Sequence, residues 1–435
     1  PETWWSSVVD ACAETRALAP ETYSRIEAVG FSAARETFAL FDEAFRPLGP
    51  GILWSDRRAG AHVDRFGDRS AFRSATGVVL NGASCVAKLA WVAEHERDHF
   101  AAARWILAPR DLVLARLLGD DVVTDPTLAS RTGCYQLDGG RADHAEFLGD
   151  RLPRVVPSAS VLRVSRTSAT AGQAMAALAL DSSTAVVVGA GDRACEVLGV
   201  GASPTMPMVS WGTTTNVSIP VSEAGIAAAA VSQGALDGFV LEAGLSASGA
   251  AFGWLARLTG WHHDALFDGA ADVAPGADGL HALPWFHGAR APWWQPDARA
   301  AFIGLTAGHG PAELARALVE AVALDVARCV ELVAPGATDL ALAGTGAGAG
   351  LWRSILAAAC RRPTVRRALD QAASVGARLI VAAACDETLD LDAVNPVIER
   401  LQPDPALVER YEQQRIASDA VAAAVLGLEI VQGGG

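Results

Sequence analysis

Short apolar runs alternate along the chain with alanine-rich stretches of helical spacing. Thr184 to Val188 and Asp339 to Ala343 are strand-like, and each is followed by glycine and then by a helix-like stretch. That alternation predicts an α/β architecture. Small residues and two prolines in Ala202-Ser203-Pro204-Thr205-Met206-Pro207 interrupt helix and strand alike, which sets the expected domains at 1–202 and 203–435. The tail from Pro403 to Leu428 reads as one or two helices, the Ala227 to Ala230 run as helix, and Gly433 to Gly435 as a frayed end.

Size agrees with two domains, because 435 residues exceed the roughly 250 to 300 at which single cores stop growing. Hydrophobic residues make up 51% and charged residues 19%, yet no apolar run reaches the roughly 18 residues of a membrane span. The net charge of −14, with no basic stripe, argues against a nucleic-acid partner. Of 35 basic residues only Lys88 is a lysine. Seven scattered cysteines with no C-x-x-C pair support neither a disulfide framework nor a zinc knuckle, and with no secretory leader in view they fit a reducing cytoplasm.

Five segments offer chemistry. Val186-Val187-Val188-Gly189-Ala190-Gly191-Asp192 ends an apolar strand in a glycine turn that presents one carboxylate. Asp192 is therefore either a general base or the cap of the helix-like Arg193 to Leu198. Met208 to Ile219 reads as two strands around Gly212-Thr213-Thr214, a turn whose amides and hydroxyls suit phosphate oxygens or simply close a hairpin. Leu340 to Gly350 runs through Gly344, Gly346, Ala347 and Gly348 into the helix-like Leu351 to Cys360. The glycines allow close approach of a nucleotide, although the G-x-G-x-G form also imitates a dinucleotide fingerprint.

His95-Glu96-Arg97-Asp98-His99 is a literal H-E-x-x-H. Its flanks are charged, Ala102 replaces the glycine of the extended form and no third ligand lies at standard spacing, so a solvated helix end is expected, with His262-His263-Asp264 as a surface loop. Last, Arg35, Glu36 and Asp42, followed by Trp54-Ser55-Asp56-Arg57-Arg58, carry charges able to grip several hydroxyls or to pair with one another.

Taken in order, these pieces resemble the FGGY carbohydrate kinases over nearly the whole chain. Ile52 to Ala59 is similar to the family's I-x-W-x-D-x-R-A segment, and Lys88 to His95 to half of its first signature. Asp125 with Ala129-Ser130-Arg131-Thr132 resembles T-D-x-x-x-A-S-x-T, and Gly189 to Asp192 resembles the turn with the catalytic aspartate. Gly212-Thr213-Thr214 resembles the G-T-S phosphate loop. His287 to Pro292, Ala300 to Leu305 and Glu313 to Glu320 resemble G-x-R-x-P, A-x-F-x-G-L and the second signature. Gly344-Thr345-Gly346-Ala347 resembles the G-G-G-A adenosine motif, and Ser374-Val375-Gly376-Ala377 the later G-A-A helix.

The resemblance implies two RNase H-like domains of the actin and hexokinase type around an interdomain cleft. It implies ATP and Mg2+ as cofactors, and a small sugar or polyol as acceptor, with no nucleic acid and no membrane. Asp192 becomes the base and a candidate contact for Mg2+. Arg35, Glu36, Asp56 and Asp125 become acceptor contacts, and Gly212, Thr213, Thr214, Gly344, Gly346 and Ala347 the nucleotide contacts.

The Arg35-Glu36-Thr37 run is closer to glycerol kinases and Trp54-Ser55-Asp56 to the ketose enzymes, so a ketopentose such as xylulose is expected first, with glycerol or a tetritol beside it. The family's opening D-x-G-T strand has no counterpart before Trp4-Trp5, which predicts a missing N-terminal segment and exposed sheet edges that favour a homodimer. Without that strand, and with Gly348-Ala349 in the adenosine motif, a catalytically impaired sugar-binding relative is the alternative.

Overall fold

The computed structural model describes residues 1–119, 121–165, 167–225 and 229–427. The second half of the chain is built on a seven-stranded sheet. In spatial order its strands are Ala230–Gln233, Phe239–Gly244, Thr215–Val221, Met208–Trp211, Leu340–Ala343, Thr364–Arg367 and Val397–Leu401. Met208–Trp211 and Leu340–Ala343 run parallel, as do Leu340–Ala343 and Thr364–Arg367, and the other neighbours are antiparallel. Because Trp211 pairs with Thr215, the first hairpin closes through Gly212, Thr213 and Thr214 alone.

The long helix Pro311–Val333 covers this sheet. Its first turn is fixed where the Glu313 carboxylate accepts the Gly310 amide at 2.8 Å. Leu318, Val322, Val326 and Val330 are fully buried in one core with Val209, Val217, Trp352 and Leu356. The tail is a single helix, Pro405–Leu426, started by Asp404 accepting from the Ala406 amide. It docks through buried polar groups: Glu320 takes hydrogen bonds from Arg316 at 2.7 Å, Tyr411 at 2.9 Å and Gln414 at 2.6 Å.

The first half is less regular. Ala28–Val29, Ala185–Val187 and Val161–Leu162 form a three-stranded sheet, and Ser32–Ala33 pairs in parallel with Ala190–Gly191. The expected strands at 184–188 and 339–343 are therefore present, each one or two residues shorter. The halves meet where helix Ala372–Ala384 lies on helix Asp192–Gly199. A Cβ on Gly376 would overlap the Cys195 carbonyl, so glycine is what lets the two backbones touch.

Three local expectations change. Ala230 opens a strand, so the Ala227 to Ala230 run is no helix there, and 226–228 lie outside the described residues. His263 and Asp264 start the helix His263–Asp272 instead of forming a loop. Helix Cys85–His95 ends where Glu96 leaves helical geometry (φ −118°, ψ 48°), so the two histidines of the H-E-x-x-H string belong to different helices. The frayed end expected at Gly433 to Gly435 lies outside the described residues.

Candidate active site

Apolar Val186, Val187 and Val188 are fully buried and lead the chain to Gly191, after which Asp192 is the first helical residue. Gly191 is the residue that caps this helix, so the capping alternative for Asp192 gives way to a carboxylate that stands on the first turn and leans on its neighbour's amide, Arg193 N, at 2.7 Å. Its side chain is 50% exposed, and Arg35 Nε approaches Oδ1 to 3.2 Å. With Oδ1 held by these two partners and half of the side chain open, the carboxylate can accept a proton.

The structure redistributes the four expected acceptor contacts. Arg35 gives both terminal nitrogens to Glu242, at 2.5 and 2.8 Å, and so ties the first half of the chain to strand Phe239–Gly244. Burial works against both charges, yet the attraction between them prevails: Glu242 is held well below the usual carboxylate range by Arg35, then Arg131 and Arg193, and Arg35 is raised in turn.

Asp56 closes on Arg58 with four hydrogen bonds to its backbone and guanidinium. Asp125 is fully buried and accepts from Arg110 at 2.7 Å, Thr127 Oγ1 at 2.6 Å and Ser158 at 2.8 Å. Its carboxylate lies inside a polar network: Thr127 Oγ1, held by Asp125, receives the Gly191 amide at 2.7 Å and so fixes the turn before Asp192. Glu36 keeps a partly open carboxylate, 25% exposed, with Arg131 at 3.1 Å, and Asp56 is open to the same degree, 24%, beside Arg58.

Glu36 adopts φ 58°, a conformation that costs a non-glycine residue about 1–2 kcal/mol. Lys88 explains how it is held. This lone lysine is wholly buried on helix Cys85–His95, and its ammonium donates to the carbonyls of Glu36 at 2.9 Å and Leu53 at 2.8 Å. The Glu36 and Leu53 loops thus hang from one cation.

The nucleotide candidates sit at the C-terminal ends of two adjacent parallel strands, the usual place for a ligand on such a sheet. The hairpin turn is braced from behind, since the amides of Ser248, Gly249 and Ala250 donate to the carbonyls of Gly212 and Thr213. The amides of Thr213 and Thr214, and both hydroxyls, have no partner among the described residues. Next to the turn, Gly344 (φ 82°) packs so closely that a Cβ would overlap the Trp211 carbonyl, Gly346 rests on the Trp211 ring and Ala347 is buried. The two loops thus form one apolar, amide-rich ledge. Ser210, one strand residue before Trp211, donates to Glu196 at 3.4 Å, which links this ledge to the helix of Asp192.

Glu242, Glu196 and the roles of Arg131 and Lys88 escaped the sequence reading. An acid inside the apolar run Phe239-Val240-Leu241-Glu242-Ala243, and one lysine among 35 basic residues, were the available signals.

Comparison with known proteins identifies the family. Residues 1–199 match the N-terminal domain and residues 208–385 the C-terminal domain described as "FGGY family of carbohydrate kinases". A xylulose kinase of Klebsiella pneumoniae is 28% identical over 95% of this chain and 88% of its own length. A glycerol kinase of Allorhizobium ampelinum is 31% identical over 74% of this chain and 67% of its own. The crystal structure of a xylulose kinase from Rhodospirillum rubrum superposes with a TM-score of 0.85 at 26% identity, covering 98% of this chain and 90% of that one. No helix among the described residues is long and apolar enough to cross a membrane.

Proposed function

We propose, from the premise that the chain belongs to the FGGY family of carbohydrate kinases, that Asp192 is the base with which it moves the terminal phosphate of ATP to a ketopentose such as xylulose. ATP-dependent phosphoryl transfer to a carbohydrate or polyol is the activity of that family, and the chain is such a kinase. The residue roles and the acceptor are our reading. The observation that carries it is the open face of Asp192 on a helix whose backbone is locked against Gly376 and whose preceding turn is held through Asp125 and Thr127. A base so fixed contributes about 10² to 10⁴ in rate.

In this reading Asp192 takes the proton of the attacking hydroxyl while Glu36 accepts hydrogen bonds from neighbouring hydroxyls. Arg131 has two buried nitrogens, Nε and Nη1, without partners, and they supply donors on the same wall. Thr213 and Thr214 turn their free amides and hydroxyls to the phosphates, and the Gly344 to Ala347 turn accommodates the nucleoside. Mg2+, brought by the nucleotide, supplies neutralisation of the phosphate charge. The half-exposed Asp192 carboxylate, on the helix that Glu196 links to the uncharged ledge, fits that need, and the chain's own part is positioning and exclusion of water. The same reading divides the chain into an acceptor unit, 1–202, and a nucleotide unit, 203–435.

Glycerol and erythritol are the competing acceptors, because Arg35-Glu36-Thr37 resembles the glycerol enzymes. A coupled ADP-release assay over xylulose, ribulose, glycerol and erythritol separates them. The expected result is the highest kcat/KM on xylulose, at least tenfold (about 1.4 kcal/mol) above glycerol. Preference for glycerol overturns the acceptor and leaves the base standing, whereas unchanged turnover in Asp192→Asn overturns the base.

A further inference from the structure

The broken H-E-x-x-H string contributes to a different cluster. We propose that His62, Glu94 and His95 form a binding site for a borderline divalent cation of the zinc type, unrelated to the Mg2+ that accompanies ATP. Ligand atoms of these three side chains all lie within 4.8 Å of one another.

His62 belongs to the 3-10 segment Gly60–Phe66 and the other two to the last turn of helix Cys85–His95, so the cluster bridges two elements far apart in sequence. His62 Nε2 lies 3.1 Å from Glu94 Oε2. Ligands about 2.0–2.1 Å from a tetrahedral ion stand roughly 3.3 Å apart, so this pair already has the spacing of one tetrahedral edge.

The imidazole of His95 is prepared for ligation. Its Nδ1 lies 3.0 Å from the Trp91 carbonyl, which can only accept, so the proton sits on Nδ1 and the Nε2 lone pair is left free. This is the outer-shell hydrogen bond that ligating histidines ordinarily make. The ring is further held by parallel stacking on Trp91, with centroids 4.7 Å apart and planes 6° apart.

His62 is enclosed, its side chain only 11% exposed, and its Nδ1 is buried without a partner. Glu94 is 55% exposed and has room to swing, so bringing the third ligand to bonding distance takes side-chain motion on the order of 1 Å. Two imidazoles and one carboxylate select zinc, cobalt or nickel over magnesium, which prefers oxygen ligands, and water completes the fourth position.

The site has a mechanical consequence. Gly60–Phe66 follows the Asp56–Arg58 loop, and helix Cys85–His95 carries Lys88, which suspends the Glu36 and Leu53 loops. A cation joining the two elements clasps the outer side of the acceptor wall and raises the stability of that wall without entering the chemistry.

The test uses the full chain, stripped with chelator and titrated with Zn2+ by calorimetry and with Co2+ by visible absorption. One equivalent is expected, with tetrahedral cobalt bands and a higher Tm on addition of Zn2+. Affinity should fall at least about tenfold in His62→Ala and in His95→Ala, while Mg-ATP turnover without Zn2+ stays at the wild-type level. No stoichiometric uptake overturns the site. So does uptake that persists in the double variant, or that is lost in His99→Ala and kept in His62→Ala, which would return the metal to the H-E-x-x-H pair.

Discussion

In the proposed reading the two walls of the cleft would recognise their ligands by opposite means. On the acceptor side the side chains are charged and already paired: Arg35 with Glu242 and Asp192, Arg131 with Glu36, with the buried Arg110–Asp125 pair and Lys88 supporting them. On the nucleotide side the ledge of Gly212–Thr214 and Gly344–Ala347 carries no charge and offers amides, hydroxyls and close backbone approach. A small neutral acceptor brings only hydroxyls, so the protein must supply strong donors and acceptors and hold them rigid. The triphosphate brings its own charge and magnesium, so geometry suffices.

The largest expected effect separates chemistry from both walls. Asp192→Asn should lower kcat by about 10² to 10⁴ while the KM values for ATP and acceptor change little, because only proton transfer is lost. Steady-state kinetics with saturating ATP reads this directly. A large rise in acceptor KM at unchanged kcat would make Asp192 an acceptor contact on the charged wall.

The uncharged wall should fail through shape. In Gly344→Ala the added methyl meets the Trp211 carbonyl, in a nearly glycine-only conformation (φ 82°, ψ 168°) that costs another residue about 1–3 kcal/mol. The loop must shift, and the KM for ATP should rise on the order of tenfold while the KM for the acceptor stays put. Equal damage to both KM values would mean that the two walls are not separable and that this loop sets the whole cleft.

How legible each wall was in the sequence follows from the same contrast. The nucleotide ledge is local: a glycine turn after an apolar strand is visible in a few consecutive residues, and Gly212–Thr214 and Gly344–Ala347 fall at the expected strand ends. The acceptor wall is made of pairs separated by many residues, such as Arg35 with Glu242, and no spacing rule links them. Hence the sequence shows Arg35, Asp56 and Asp125 as charges able to meet hydroxyls but not the partners each holds inside the protein. The seven-stranded sheet was readable only as an alternation, since its order depends on which strands cross over.

A smaller effect tests whether the charged wall depends on pairing. Glu242→Gln keeps the shape and one acceptor oxygen but removes the charge that fixes the Arg35 fork. Breaking a buried pair costs up to about 3–5 kcal/mol, and Gln retains part of it. The acceptor kcat/KM should drop about tenfold, or 1.4 kcal/mol, with the KM for ATP unchanged. Full activity would show that Arg35 is held by Asp192 alone.

The smallest effect concerns pH, and it follows from the sign of the Glu242 shift. Burial pushes this carboxyl up, but the charge and hydrogen bonds of Arg35 outweigh it, so the folded value lies well below that of an unfolded glutamate, about 4.3. The group therefore adds stability that is fully present above about pH 4.3 and disappears as pH falls from there through the folded value. Urea unfolding of the wild type and Glu242→Gln should show a stability gap that is constant from pH 7 to about 5 and narrows on further acidification, because the variant has no proton to gain there. A gap of the same size at pH 3.5 as at pH 7 would mean that Glu242 acts through packing, and the charged wall would then be held, like the ledge opposite, by shape.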